Sequence, residues 1–292
     1  MILLTRAILG ALLLTATFPQ SIDGPADTTS IRVRTDLVEL FITVRQGNHP
    51  LRGLTPADFI ITDNGKVQRL AYLKTEESVL RIVMLLDTSA SMAEDLPFVE
   101  AAGLRFLSSL REGDQVGLFT FGGRIRELAT VDSDLERVGG ALRGIRASGN
   151  THLFDAVARG VVELQTPGIR RGIVLFTDGN DTASRLSKES VARLCGRSAV
   201  PLFVVGSGEA VRDYKLKRDL EELAEATGGA AYFPKEMDDL NRSFDAVSVR
   251  LRSGYGAGYY PDSVPDGQWH RIHVKLREKK GHVTAREGYF AD

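Results

Sequence analysis

The chain has 292 residues, a formal net charge of −1, and hydrophobic and charged fractions of 43% and 26%. That length allows one large domain or two modest ones around a sizeable core, and the composition excludes a disordered chain or a polytopic membrane protein. Acids and bases are interleaved, and no basic stripe with aromatic partners stands out, so nucleic acid is not expected as a partner.

Arg6 precedes an apolar run from Ala7 to Phe18. The run has signal-peptide length and is too short to span a bilayer comfortably. Residues 1–26 are therefore expected to be a signal peptide or an N-terminal anchor, with a buried N-terminal helix as the alternative. The protein is expected to be exported, whether periplasmic, extracellular or membrane-anchored, and to meet a membrane only through this segment if it stays uncleaved.

Residues 31–76 read as antiparallel β. Across 31–45, Val38, Leu40, Ile42 and Val44 share one strand face, with Glu39 and Thr43 on the other. Thr55-Pro56-Ala57-Asp58 looks like a cap and one short helical turn. Strands at 59–62 and 66–73 flank Asp63-Asn64-Gly65, and Asn-Gly is a strong hairpin signal.

From residue 79 the rhythm changes to strand–helix alternation. Strands are expected at 79–87, 115–121, 172–177, 200–205 and 230–233, with an edge strand at 124–128. Helices are expected at 96–110, 135–145, 153–164, 188–196, 217–226 and 237–251. This is the pattern of a doubly wound, Rossmann-like α/β sheet over 79–251. Cys195, the one cysteine, falls on one of these helices; with no companion cysteine or nearby histidine it reads as a small buried hydrophobe.

Residues 254–292 return to β, with an extended stretch at 256–260 and a strand at 269–277 that turns Ile272, Val274 and Leu276 inward. A hairpin partner is expected at 282–289. His270 and His273 point to opposite faces, which argues against joint chelation. Neither β segment has enough strands for a secure domain. The 31–76 and 254–292 segments are expected to form one small antiparallel β-sandwich, with the α/β domain inserted between its parts.

The chemistry concentrates on Val83-Met84-Leu85-Leu86-Asp87-Thr88-Ser89-Ala90-Ser91. An apolar run of this kind reads as a strand buried on both faces, and ligands gather beyond the carboxyl ends of such strands. Asp87 lies there with two hydroxyls behind it. Carboxylate and hydroxyl oxygens suit magnesium, manganese or calcium. Ser148-Gly149-Asn150-Thr151 places Thr151 at a helix start, and Thr177-Asp178-Gly179 ends another buried strand in a carboxylate. If those two strands are neighbours, Asp87 and Asp178 converge. Taken singly, Ser89, Ser91 and Thr151 could be helix caps and Asp178 a turn former.

Asp87-x-Ser89-x-Ser91, Thr151 in a glycine loop, and Asp178 in Thr-Asp-Gly resemble the metal-ion-dependent adhesion site of von Willebrand factor type A domains. The outer segments, among them Leu54-Thr55-Pro56-Ala57-Asp58-Phe59 and Arg286-Glu287-Gly288-Tyr289, resemble bacterial exported proteins related to that family. The resemblance implies magnesium or manganese held by Asp87, Ser89, Ser91, Thr151 and Asp178, directly or through water. It also implies a protein partner whose Asp or Glu carboxylate completes the coordination. Glu94 and Asp95 stand where integrin β-subunit domains build an adjacent calcium site, and are candidates for the same here. Asp155 is a candidate supporting acid one turn below Thr151, and His152 a residue of the rim. Two rival functions stay open: a metal-assisted hydrolase or phosphoryl-transfer enzyme, and a structural protein that self-associates through a neighbouring copy's acid.

Overall fold

The computed structural model describes residues 37–166, 170–262 and 265–291. The expected export segment at 1–26 and residues 31–36 of the first expected strand lie outside the described residues.

The first β segment comprises β1 (Val38–Gln46), β2 (His49–Pro50), a 3-10 turn at Pro56–Asp58, β3 (Phe59–Asp63), β4 (Lys66–Gln68) and β5 (Leu70–Lys74). The middle of the chain opens with β6 (Leu80–Leu86), α1 (Leu96–Ser108), β7 (Gln115–Gly122), β8 (Arg124–Ala129), α2 (Leu135–Leu142) and α3 (Leu153–Glu163). It continues through β9 (Arg170–Thr177), α4 (Lys188–Ser198), β10 (Leu202–Gly206), α5 (Gly208–Arg212), α6 (Tyr214–Glu225), β11 (Ala230–Tyr232) and α7 (Met237–Ser253). The last segment holds β12 (Tyr255–Tyr259), β13 (Trp269–Leu276), β14 (His282–Thr284) and β15 (Gly288–Phe290).

The central sheet runs β11-β10-β9-β6-β7-β8, parallel except for the β7–β8 edge. Successive side chains of a strand point to opposite faces, and β6 separates its residues accordingly. Ile82, Met84 and Leu86 pack with Phe106, Leu142, Phe244 and Leu251 in one apolar cluster. Val83 and Leu85 pack with Val157, Val161, Cys195 and Leu220 in the other. Each fully buried side chain of this size contributes roughly 1.5–3 kcal/mol. A strand apolar on both faces can be satisfied only between two helical layers, so β6 sits centrally and its carboxyl end opens between them.

The outer segments build two antiparallel sheets. One runs β14-β1-β12-β5 with β2 beside β1; the other runs β15-β13-β3-β4. Val38, Leu40 and Ile42 from the first sheet and Phe59, Ile61 and Ile272 from the second belong to one apolar cluster. Asp63 is buried among them and satisfied on both oxygens: Tyr259 and Tyr289 donate their hydroxyls at 2.9 Å each, and His270 Nδ1 lies at 2.8 Å. Hydrogen bonds of this kind offset the cost of burying a carboxylate.

Several boundaries differ from expectation. The strand expected at 66–73 breaks at Arg69, with β4 pairing to β3 and β5 to β12 in the other sheet. The partner expected at 282–289 also divides: β14 pairs with β1 and β15 with β13. Alternation is the same on either side of a corner, so it does not show that the chain has changed sheets. β1 is buried on both faces, because Phe41 meets Phe203 of the central sheet edge to face at 6.0 Å and Thr43 is 3% exposed. The helix expected at 135–145 ends at Leu142, and the helix expected at 217–226 starts earlier, at Tyr214, capped by Asp213. α5, directly before it, was not expected.

Candidate metal centre

β6 and β9 are neighbours in register, with Leu86 opposite Phe176. Their carboxyl ends therefore deliver Asp87 and Asp178 to one crevice. The Asp87 N–H donates to the Phe176 carbonyl at 2.9 Å, extending the ladder one residue past β6 and fixing the carboxylate. Oδ1 accepts the Ser89 N–H at 2.8 Å and Oδ2 accepts the Thr177 hydroxyl at 2.7 Å. Asp87 is fully buried, and that burial pushes its carboxyl pKa up against the lowering effect of the Thr177 and Ser89 bonds.

Ser89 and Ser91 hold their hydroxyl oxygens 3.1 Å apart. Neither serves as a helix cap. Ser89 precedes a 3-10 turn at Ala90–Ala93 without a side-chain capping bond, and α1 begins only at Leu96, behind Asp95. Thr151 does not begin a helix either: it bridges to Gly122, and α3 starts at Leu153 behind His152. The three serine and threonine hydroxyls are thus left for something other than capping.

Backbone contacts lock the loops together. The Ser148 N–H donates to the Thr88 carbonyl at 2.6 Å, the Ala90 N–H to the Gly149 carbonyl at 3.1 Å, and the Gly123 N–H to the Asn150 carbonyl at 2.8 Å. The Gly122 N–H donates to the Thr88 hydroxyl at 3.0 Å. A Cβ on Gly122 would lie 2.1 Å from the Thr88 carbonyl oxygen and 2.5 Å from that of Ser148. Glycine is what allows the three backbones to approach this closely.

Asp178 ends β9 and is 6% exposed. Its Oδ1 is buried without a hydrogen-bond partner. Burial pushes its pKa up; the Ser91 hydroxyl opposes this, and the like charges of Asp95 and Glu209 add to it. Two buried carboxylates, one with an orphaned oxygen, beside the paired hydroxyls of Ser89 and Ser91 form an arrangement that a hard divalent cation relieves. An all-oxygen donor set is the kind that magnesium, manganese and calcium take.

The remaining expected residues play other parts. Asp155 accepts the N–H groups of Arg185 and Leu186 at 3.0 Å each, pinning the loop after β9 to the first turn of α3. His152 Nε2 lies 3.1 Å from the Gly123 carbonyl, so this nitrogen carries the proton and clamps the glycine turn. Asp95 Oδ2 accepts the Ser207 hydroxyl at 2.7 Å, and Glu94 is exposed. Among the described residues, no group of three or more His, Cys, Asp or Glu side chains gathers as a metal site.

The sequence reading missed Thr177, Gly122, Ser207 and Gly208. Thr177 was visible in the Thr-Asp-Gly motif, but its bond across to Asp87 depends on the neighbouring of two strands 90 residues apart in sequence. Gly208 adopts φ +51°, and a Cβ there would stand 3.0 Å from Asp178 Cβ, so it lets the α5 turn close over the carboxylate.

The family profile described as von Willebrand factor type A domain matches residues 82–180, from the middle of β6 to the loop after β9. The central part of the chain is thus similar to a von Willebrand factor type A domain. Its matched region contains all three site loops of the domain. A UPF0353 protein of Nocardia farcinica is 21% identical over 209 residues, which cover 58% of this chain and 62% of that protein. The chain therefore spans less than two thirds of the length of this curated relative. Among solved structures, proximal thread matrix protein 1 from the mussel byssus, with a zinc-occupied MIDAS motif, aligns with a TM-score of 0.54 at 16% identity, covering 65% of this chain and 50% of that one. A von Willebrand factor type A protein from Catenulispora acidiphila aligns with a TM-score of 0.51 at 12% identity, covering 84% and 75%. At these identities the likeness establishes the von Willebrand factor A fold.

Proposed function

We propose that this protein is a divalent-cation-dependent protein-interaction module without catalytic activity. The observation that carries the reading is the orphaned, buried Asp178 Oδ1 beside the paired hydroxyls of Ser89 and Ser91. Magnesium or manganese would be held by Asp87, Ser89, Ser91, Thr151 and Asp178, and would supply an open electrophilic position that an Asp or Glu carboxylate of a partner protein fills. Three of the five donors would be neutral hydroxyls, which leave the ion a stronger Lewis acid than an all-carboxylate cage would and favour an incoming anion. Thr177 and the Ser89 N–H orient Asp87, while the Gly122 contact holds the loops at fixed separation. Export through the 1–26 segment belongs to the same proposal and rests on its sequence alone. Among the described residues no helix is long and apolar enough to cross a membrane.

Titration of the full chain with manganese, followed by calorimetry, tests the reading. The expected result is one ion per chain, lost on Ser89→Ala combined with Thr151→Ala, with the fold retained by circular dichroism. Unchanged manganese binding in that variant overturns the assignment. Metal-dependent hydrolysis of phosphoesters or peptides, abolished by Asp87→Ala, would replace the binding module with an enzyme.

A further inference from the structure

A crevice of about 870 Å³ opens directly beside Asp178, between the start of α1, the α5 turn and the entry to α7. Its wall is acidic: Glu94, Asp95, Asp178, Glu209, Asp213 and Glu236 line it, against only Arg212 and Lys235. Its apolar part comes from Phe98, Phe176 and Leu240, of which Phe98 is 45% exposed. The acids are spread around the space. No three of them converge within reach of one ion among the described residues, and Asp95 and Asp213 are already committed, to the Ser207 hydroxyl and to the Leu216 N–H capping α6. Glu94 and Asp95, the candidates for a second calcium, are thus not joined by a third acid around one point among the described residues.

We propose that this crevice is a subsite for a Lys or Arg side chain of the partner, placed next to the Asp or Glu that completes the metal, so that the module recognises an acid–base pair. The inference rests on the metal-dependent reading above. A long cation suits this layout, because its charge can be shared among separated carboxylates while its methylene stem lies along the exposed side chain of Phe98. The open face of Phe98 adds an aromatic surface on which a guanidinium or ammonium can lie. Ser91 and Asp178 belong both to the proposed metal site and to the lining of the crevice, so the two adjoin. The same acids also work against the wrong ligand. A partner bearing only acids brings like charge toward Glu94 and Glu209, whereas one with a neighbouring base neutralises them, and that difference is specificity.

The test uses the full chain with magnesium and an array of short synthetic peptides. Each carries one Asp or Glu with Lys, Arg or Gln placed one to four residues away. Peptides with a base are expected to bind at least tenfold tighter than their Gln counterparts at one or more spacings. In the double variant Glu94→Gln, Glu209→Gln that preference is expected to fall below threefold, with manganese affinity within threefold of the parent. Metal binding with no preference for a base, or with no peptide captured at all, overturns this inference and leaves the metal reading standing. Absence of metal binding by the parent chain overturns both.

Discussion

Gly122→Ala isolates the contribution of close backbone approach to the site. The added Cβ would stand 2.1 Å from the Thr88 carbonyl oxygen and 2.5 Å from the Ser148 carbonyl oxygen. Both obstacles are backbone, so neither can swing aside as a side chain would. One loop must retreat by about 1 Å, a displacement that overpacking of a dense interior makes costly. Overpacking costs ~1–3 kcal/mol, and loss of the Gly122 N–H bond to the Thr88 hydroxyl adds ~1 kcal/mol. A loss of about 2–4 kcal/mol is therefore expected in urea denaturation with EDTA present. Separating the 87–91 and 148–151 loops also spreads the hydroxyls, so manganese affinity is expected to fall by tenfold or more, equivalent to about 1.4 kcal/mol. Gly140→Ala is the control: it lies in α2 with no heavy atom within 4 Å of its Cβ position. There the same methyl group is expected to stabilise by ~0.5–1 kcal/mol. The reasoning fails if Gly122→Ala denatures at the parent's urea concentration or binds manganese equally well.

Two further outcomes follow from the buried ionisable groups. Asp178→Asn removes a buried carboxylate with an orphaned oxygen, so in EDTA the variant is expected to be more stable than the parent by ~1 kcal/mol. Added magnesium should then raise the Tm of the parent only, since an ion that binds the folded state at a hundredfold excess over Kd stabilises by ~2.7 kcal/mol; equal metal-induced shifts in both proteins would contradict the placement. Cys195 has its thiol pKa pushed up to about 12 by burial. The thiolate is favoured only in the unfolded chain, so this group's contribution to stability is intact below the ordinary thiol pKa. It declines by about 1.4 kcal/mol per pH unit above that, until the folded-state pKa is reached. Alkylation by iodoacetamide at pH 9 should be negligible in the folded protein and complete in urea, and rapid labelling of the native chain would show that the helix opens.

Much of the site is local in sequence. Asp87, Ser89 and Ser91 lie within one turn of chain, and a strand apolar on both faces that ends in a carboxylate dictates where that turn sits in an α/β sheet. The periods of hydrophobicity were enough to separate the strand–helix region from the β segments, because burial on one helical stripe or on alternate strand residues leaves its mark on every element. The split of 66–73 and of 282–289 between two sheets left no such mark, since a corner preserves the alternation on both sides.

What the sequence by itself determined is the chemistry on offer at the proposed site: five oxygen-bearing residues on three loops, and no cysteine or histidine cluster beside them. What only the tertiary structure decided is how those oxygens are committed. The pairing of β6 with β9 brings Thr177 onto Asp87. Thr151 bridges to Gly122 while His152 precedes α3, so Thr151 stands outside the helix cap. The turn at Gly208 packs against Asp178, whose Oδ1 is buried and unpaired and which lines an acidic crevice. Each of these is a contact between residues 26 or more positions apart. Such contacts arise from how strands are ordered and helices packed, and local propensity carries no record of them.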